Sequence, residues 1–328
     1  MVNIVLSTGN IIGAAAASVG FSATQKSNQE LTRSLRMNIE DAQHDAIPQA
    51  NGSTTTTDNA RHAYDWKRWT DLRDDGKTLY VPAIDFSESS LAEEREQYDI
   101  TVKLFYLRSA TPEERERHTR DAVNLVLKEL HMSSIDLLIV SFPGVYFDEE
   151  TEDCPNKIRS RGPPVDAEPL ESLLQSWNAL EKLHAEGVVL KLGVAEFGPE
   201  RLEPFLKQTR TPPAVDQINL RDCCSVPQPL MSLAKSNGVD LLVHNDCTNI
   251  LPKGTVRELL GQGESGAGVL AGSATTEDVE SKSHKSDKIV TGIKGEVTPQ
   301  WVVKYTAVVR NRGVVENKGY FAQADVTT

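Results

Sequence analysis

IDLLIVSF, residues 135–142, is an almost unbroken apolar run, and its reading decides the fold. A strand with one face in water alternates apolar and polar side chains, whereas a strand covered on both faces does not. The run therefore predicts a buried strand of a parallel sheet. Upstream, YDITVKLFYL (98–107) is rich in β-branched and aromatic residues, as a second buried strand would be. Between them, TPEERERHTRDAVNLVLKEL (111–130) has Thr111 at the N-cap, Pro112 in the first turn and Glu114 at the capping-box position. Val123, Leu127 and Leu130 then follow along one face, so this stretch predicts a helix. Downstream, PLESLLQSWNALEKLHAEGVV (169–189) places Leu170, Leu173, Leu174, Trp177 and Leu180 at helical spacing and stops at Gly187.

The same rhythm continues through LKLGVAEF (190–197), ERLEPFLKQ (200–208), AVDQINL (214–220), PLMSLAKSN (229–237) and VDLLVHN (239–245). Repeated strand, helix, strand order implies parallel strands joined by right-handed crossovers, an α/β architecture. Residues 1–328 are expected to form one domain, with polar, turn-rich surface insertions at 45–75, 147–168 and 261–290. Beyond the last insertion, PQWVVKYTAVVRNRGVVENKG (299–319) predicts a helix followed by a strand.

A formal net charge of -12 argues against a surface that attracts nucleic acid or anionic lipid. No stretch of eighteen apolar residues occurs, and the N-terminus lacks the basic start of a signal peptide. Four cysteines, Cys154, Cys223, Cys224 and Cys247, are too few and too unevenly spaced for a disulfide framework. These features together predict a cytoplasmic protein without a membrane partner.

The chemistry-bearing candidates are few. GQGESG (261–266) matches the dinucleotide fingerprint, but it follows a helix-like VRELL and leads into polar sequence, the reverse of the strand-then-helix context that the motif needs. The histidines are scattered and Cys223 and Cys224 are adjacent, so no metal site is expected. Lys103 sits inside a strand, where a charge is costly unless it faces solvent, a partner or a site. Gln217 and Asn219 share the parity of one strand and point the same way.

The succession ITVKLF, SSIDLLIVSFP, KLGVAEF and PAVDQINL resembles the aldo/keto reductase superfamily, which implies an eight-stranded (β/α)8 TIM-barrel. LSTGNII (6–12), VKLF, DQINLRDCCSVPQPLMSLAKSNGVDLLVHND (216–246) and RNRGVVENKGY (310–320) resemble, more narrowly, the family of glutamate–cysteine ligase regulatory (modifier) subunits. The resemblance covers residues 98–250 and 299–323, with a short patch at 6–12.

A working reductase of this superfamily uses Asp, Tyr, Lys and His, with NADPH as hydride source. The resemblance places the Lys at Lys103 and the Asp at Asp85, puts Ser141 where the His belongs, and finds no Tyr near Ser90. On the cofactor side it retains Gln217 and a phosphate-site lysine, Lys318, but puts Ala195 and Glu196 where Ser and Asn would hold the carboxamide. It thus implies a barrel without hydride chemistry or a required cofactor, though with residual NADPH binding left open. The implied role is a non-catalytic subunit that forms a heterodimer with the ligase catalytic subunit, raises its glutamate affinity and relieves glutathione inhibition. Asn219, Arg221, Cys223, Cys224, His244, Asn245 and Asp246 are the expected partner-binding residues, the cysteine pair being a candidate redox contact. An NADPH-dependent reductase with an altered tetrad is the alternative.

Overall fold

The computed structural model describes residues 2–13, 26–47, 65–74, 76–87, 91–147, 167–220, 226–247, 249–252, 254–263, 265–272 and 292–327. Ten strands form one sheet: β1 (Val2–Ser7), β2 (Asp71–Arg73), β3 (Thr78–Val81), β4 (Tyr98–Tyr106), β5 (Ile135–Ser141), β6 (Val189–Ala195), β7 (Val215–Ile218), β8 (Asp240–Val243), β9 (Glu296–Val309) and β10 (Val314–Thr327). Their order is β2-β3-β1-β10-β9-β4-β5-β6-β7-β8. The helices set beside them are α1 (Ser27–Asp45), α2 (Pro112–Leu130), α3 (Leu170–Ala185), α4 (Pro199–Leu206), α5 (Gln228–Asn237) and α6 (Thr255–Leu260).

Strands β4 to β8 pair in parallel in sequence order, each joined to the next by one helix, α2 to α5. This is the strand–helix repeat read between residues 98 and 250, and it makes the fold α/β, mostly parallel and TIM-barrel-like. The local signals hold in detail. Thr111 Oγ1 accepts from Glu114 N–H, and Glu114 Oε2 accepts from Thr111 N–H, closing the capping box that starts α2. Alternate residues of β4, Ile100, Val102, Leu104 and Tyr106, pack against Val123 and Val126 of α2, while Trp177 of α3 meets Phe205 of α4 edge-on at 5.1 Å.

Residues 299–309 are not the expected helix. They lie within β9, which pairs antiparallel with β4 from Tyr98↔Val309 to Tyr106↔Trp301 and, on its other side, with β10. The physical reason is legible afterwards: VVKYTAVV is rich in β-branched residues, which lose side-chain freedom in a helix and pack well on a pleated surface. Trp301, Val303, Tyr305 and Ala307 face the helices α2 and α3, and Val302 faces the opposite layer. The C-terminal hairpin therefore sits in the middle of the sheet, between the N-terminal strands and the parallel run. Gly319 of β10 permits this packing, since a Cβ there would collide with the Tyr305 hydroxyl and come within 2.6 Å of Gly9 O.

The opposite layer joins Ile4, Leu6, Leu79, Phe105, Val302 and Ala322 of the sheet to Leu31, Leu35 and Ile39 of α1 and to Val256, Leu259 and Leu260 of α6. Segments expected as surface insertions contribute to it. Trp66 and Trp69, within 45–75, and Val269 and Leu270, within 261–290, are buried there, because each brings apolar side chains that the periodicity reading passed over. Residues 48–64, 148–166 and 273–291 lie outside the described residues. The GQGESG glycines follow α6 and precede an isolated bridge at Leu270, so the phosphate-cradling context is absent there. No helix among the described residues is long and apolar enough to cross a membrane.

Because β9 and β10 supply the centre of the sheet, a chain ending at Gly295 is expected to lose cooperative unfolding. A circular-dichroism melt checks this; a truncated chain that still unfolds in one sharp transition would mean the hairpin is peripheral.

Candidate functional site

Lys103 points from β4 toward the face away from α2, where its strand neighbour in register across β9 is Lys304. Two like charges directly opposite on one face of an antiparallel pair repel. Here one carboxylate resolves the conflict: Asp246 Oδ2 lies 3.1 Å from Lys103 Nζ and Asp246 Oδ1 lies 2.9 Å from Lys304 Nζ. Lys103 Nζ also donates to Gln217 Oε1 of β7 at 2.6 Å and lies 3.4 Å from His244 Nδ1. With neighbouring strands about 4.8 Å apart, β4 and β7 would stand about 14 Å apart in a flat sheet. The contacts thus require the parallel run to curl, so that the ends of β4, β7 and β8 converge as in a barrel.

The cluster is dry. Lys103 is 4% exposed and Asp246 5%. Burial opposes ionisation of Asp246, but the charges of Lys103 and Lys304 outweigh it and hold the carboxyl well below its usual range. Burial lowers the pKa of Lys103, and the Asp246 carboxylate opposes that shift. Asp216, on the other face of β7, is pushed far up by burial, against the hydrogen bond its Oδ1 accepts from Phe197 N–H at 3.3 Å.

His244 is oriented from both sides. Asp246 N–H donates to His244 Nδ1 at 3.0 Å, which leaves the proton on Nε2, and Nε2 lies 2.8 Å from Glu196 Oε1, outside hydrogen-bond alignment. Glu196 Oε2 accepts from Phe147 N–H at 3.0 Å, and Glu196 N–H donates to Gln217 O at 3.0 Å. Glu196 takes a left-handed backbone, φ 66°, which costs about 1–3 kcal/mol for a non-glycine residue. The surrounding hydrogen bonds hold that strained turn in place.

Of the sequence-predicted residues, the structure brings together Lys103, Gln217, His244 and Asp246, with Asn219 Nδ2 donating to Asp246 O at 3.3 Å. Asp85 is not brought to Lys103: it is exposed and its Oδ1 accepts from Ser87 N–H, because it falls in a turn after β3. The counter-charge to Lys103 is Asp246 instead. Ser141 is buried at the end of β5. Lys318 is bound to Glu30 of α1 at 2.7 Å, and Tyr320 O–H donates to the same carboxylate. Asn245 is exposed, whereas Arg221, Cys223 and Cys224 lie outside the described residues. Lys304 was missed because its segment read as helix; the run of β-branched residues around it was the available signal. Among the described residues no group of three or more His, Cys, Asp and Glu could hold a metal ion.

The aldo/keto reductase family model matches residues 83–258, more than half of the chain. The chain belongs to the aldo/keto reductase family. Two curated relatives are named glutamate–cysteine ligase regulatory subunit: one from Rattus norvegicus, 26% identical, and one from Homo sapiens, 25% identical, each aligned over 71% of this chain and 68% of its own length. Among solved structures, the aldose reductase of Schistosoma japonicum is similar at 26% identity and a TM-score of 0.35, covering 51% of this chain and 52% of that one. The family implies a nicotinamide cofactor, and the residues present do not fit one. Gln217 Oε1 is taken by Lys103, a carboxylate tied to His244 and Phe147 N–H occupies the carboxamide position, and the Lys318 ammonium is neutralised by Glu30.

Replacing Asp246 with Asn leaves the buried Lys103 facing the half-buried Lys304 without a counter-charge and is expected to cost about 3–5 kcal/mol in urea unfolding. Lys304→Met is expected to cost less, since Lys103 keeps its counter-charge. A second outcome concerns pH. The folded-state pKa of Asp246 lies below its unfolded value of about 3.9, so its contribution is fully present above about pH 5 and is lost as pH falls through the folded value. Asp246→Asn should therefore flatten the acid limb of the stability curve; an unchanged limb would show that the carboxylate is not what titrates.

Proposed function

We propose that this chain is a non-catalytic regulatory subunit of glutamate–cysteine ligase. It binds the ligase catalytic subunit as a heterodimer in the cytoplasm, raises its glutamate affinity and relieves feedback inhibition by glutathione. It performs no reduction and needs no cofactor. One observation carries the reading: the Lys103 ammonium is committed to Asp246, Gln217 and His244 in a sealed cluster, and no tyrosine hydroxyl bonds to it among the described residues. A carbonyl reduction needs a proton donor beside that lysine and a path for substrate to reach it. The names of relatives aligned over 71% of the chain support the same conclusion.

The expected partner contacts are narrowed by burial. Asn219, His244 and Asp246 serve internal bonds, so partner contact falls to exposed neighbours such as Asn245. Cys223 and Cys224 remain proposed as a redox-sensitive contact.

The test is ligase activity of the catalytic subunit at limiting glutamate and with added glutathione, with and without this chain. The expected result is a glutamate KM lowered about 5-fold or more, with weaker glutathione inhibition. Unchanged kinetics together with no complex on size exclusion would overturn the proposal. Titration with NADPH is expected to leave tryptophan fluorescence unchanged, and saturable quenching would restore the reductase reading.

A further inference from the structure

A second buried polar layer lies on the helix side of the sheet, apart from the Lys103 cluster. Arg115 of α2 is fully buried, with its guanidinium 4.2 Å over the Tyr106 ring and Nη2 donating to Glu168. Among the described residues its Nε and Nη1 have no acceptor. His118, one helical turn further on the same face of α2, is 2% exposed, and among the described residues neither ring nitrogen has a partner. Trp301, the cross-strand partner of Tyr106 on β9, is fully buried, and its Nε1–H finds no acceptor among the same residues.

Buried donors without acceptors are rare and costly in folded proteins. Elsewhere among the described residues, Ser34 Oγ and Trp69 Nε1 are single orphaned atoms, Asn317 offers a donor beside an acceptor, which water suits, and His244 Nε2 faces the acceptor Glu196 Oε1. The layer around Tyr106 differs: Arg115 Nε, Arg115 Nη1 and Trp301 Nε1 can only donate. Burial and the charges of Arg117, Arg115 and Arg108 push His118 down to about 4, with Glu114 opposing.

We infer that Arg115, His118 and Trp301 form a binding site for a small oxyanion, a phosphate or carboxylate group, in the layer between α2 and the Tyr106–Trp301 pair. Such a group only accepts and has enough oxygens to bridge the free guanidinium nitrogens to the indole and imidazole N–H groups. Glu168 satisfies one nitrogen of Arg115 and leaves the others for the ligand.

The experiment titrates the full chain with sodium phosphate and, separately, sodium acetate, against sodium chloride at equal ionic strength, reading the thermal midpoint and calorimetric heat. A saturable rise specific to phosphate, to acetate or to both supports the site, and the responding arm names the ligand class. Trp301→Phe removes the indole donor and keeps an aromatic ring, so it is expected to weaken binding about tenfold. His118→Phe should weaken it several-fold, and Arg115→Lys should abolish it. Arg115→Lys alone is not decisive if that variant folds poorly. No rise beyond chloride, or titrations unchanged in both Trp301→Phe and His118→Phe, would overturn the proposal and leave these donors to water only.

Discussion

The carboxylate of Asp246, clamped between Lys103 and Lys304, is the interaction on which the arrangement of this sheet depends. The register of β4 against β9 sets the two lysines opposite each other. Without an anion between them, that register would set the buried Lys103 against a like charge on the half-buried Lys304. The anion comes from the segment after β8, four strands along the sheet from β4. Neutralising the lysines therefore draws the far edge of the parallel run back across its own face. Curvature, register and charge balance are one problem with one solution.

The same solution changes what the site can do. In an aldo/keto reductase the lysine that Lys103 resembles tunes a proton donor, and its value lies in being available. Here all of its contacts are internal: Gln217, His244 and Asp246 accept or face its ammonium, and Glu196 holds the far side of His244. Buried ion pairs contribute little net stability compared with well-packed apolar residues but make misarranged alternatives expensive. The cluster fits that role, since each member is held by elements far apart in the chain. In this chain those groups bind one another and tie distant elements together.

The two buried polar layers differ in how completely they are satisfied. Around Asp246, opposite charges face each other and the backbone N–H groups of Asp246 and Phe147 supply further bonds, and the two atoms left without one, His244 Nε2 and Glu196 Oε1, face each other as donor and acceptor. Around Tyr106, among the described residues, donors outnumber acceptors, and the carboxylate of Glu168 bonds to a single guanidinium nitrogen. In a low-dielectric interior a satisfied network rigidifies and an unsatisfied one calls for a further partner. The first layer has the character of a closed structural element, and the second that of a site.

Periodicity and capping in the sequence were enough to determine the parallel run: IDLLIVSF, the Thr111–Glu114 capping box and the alternation to residue 245 all reappear as β5, the start of α2 and the succession to β8. These signals are local, set by the side-chain spacing of single elements, so no distant contact is needed to read them. The individual chemistry-bearing residues Lys103, Gln217, His244 and Asp246 were legible too, each as a polar group in or beside an apolar strand. Their meeting was not. Lys304 read as part of a helix, and the resemblance set Asp85 in the place of the reductase Asp, because finding the carboxylate that meets Lys103 requires knowing how far the sheet curls. The place of the C-terminal hairpin at the sheet's centre was equally hidden: β9 pairs with a strand nearly two hundred residues earlier, and only the burial of Trp301, Val303 and Tyr305 against α2 and α3 selects that partner. Local pattern specifies the elements, while pairing across long separations and the balance of buried charge belong to the tertiary structure.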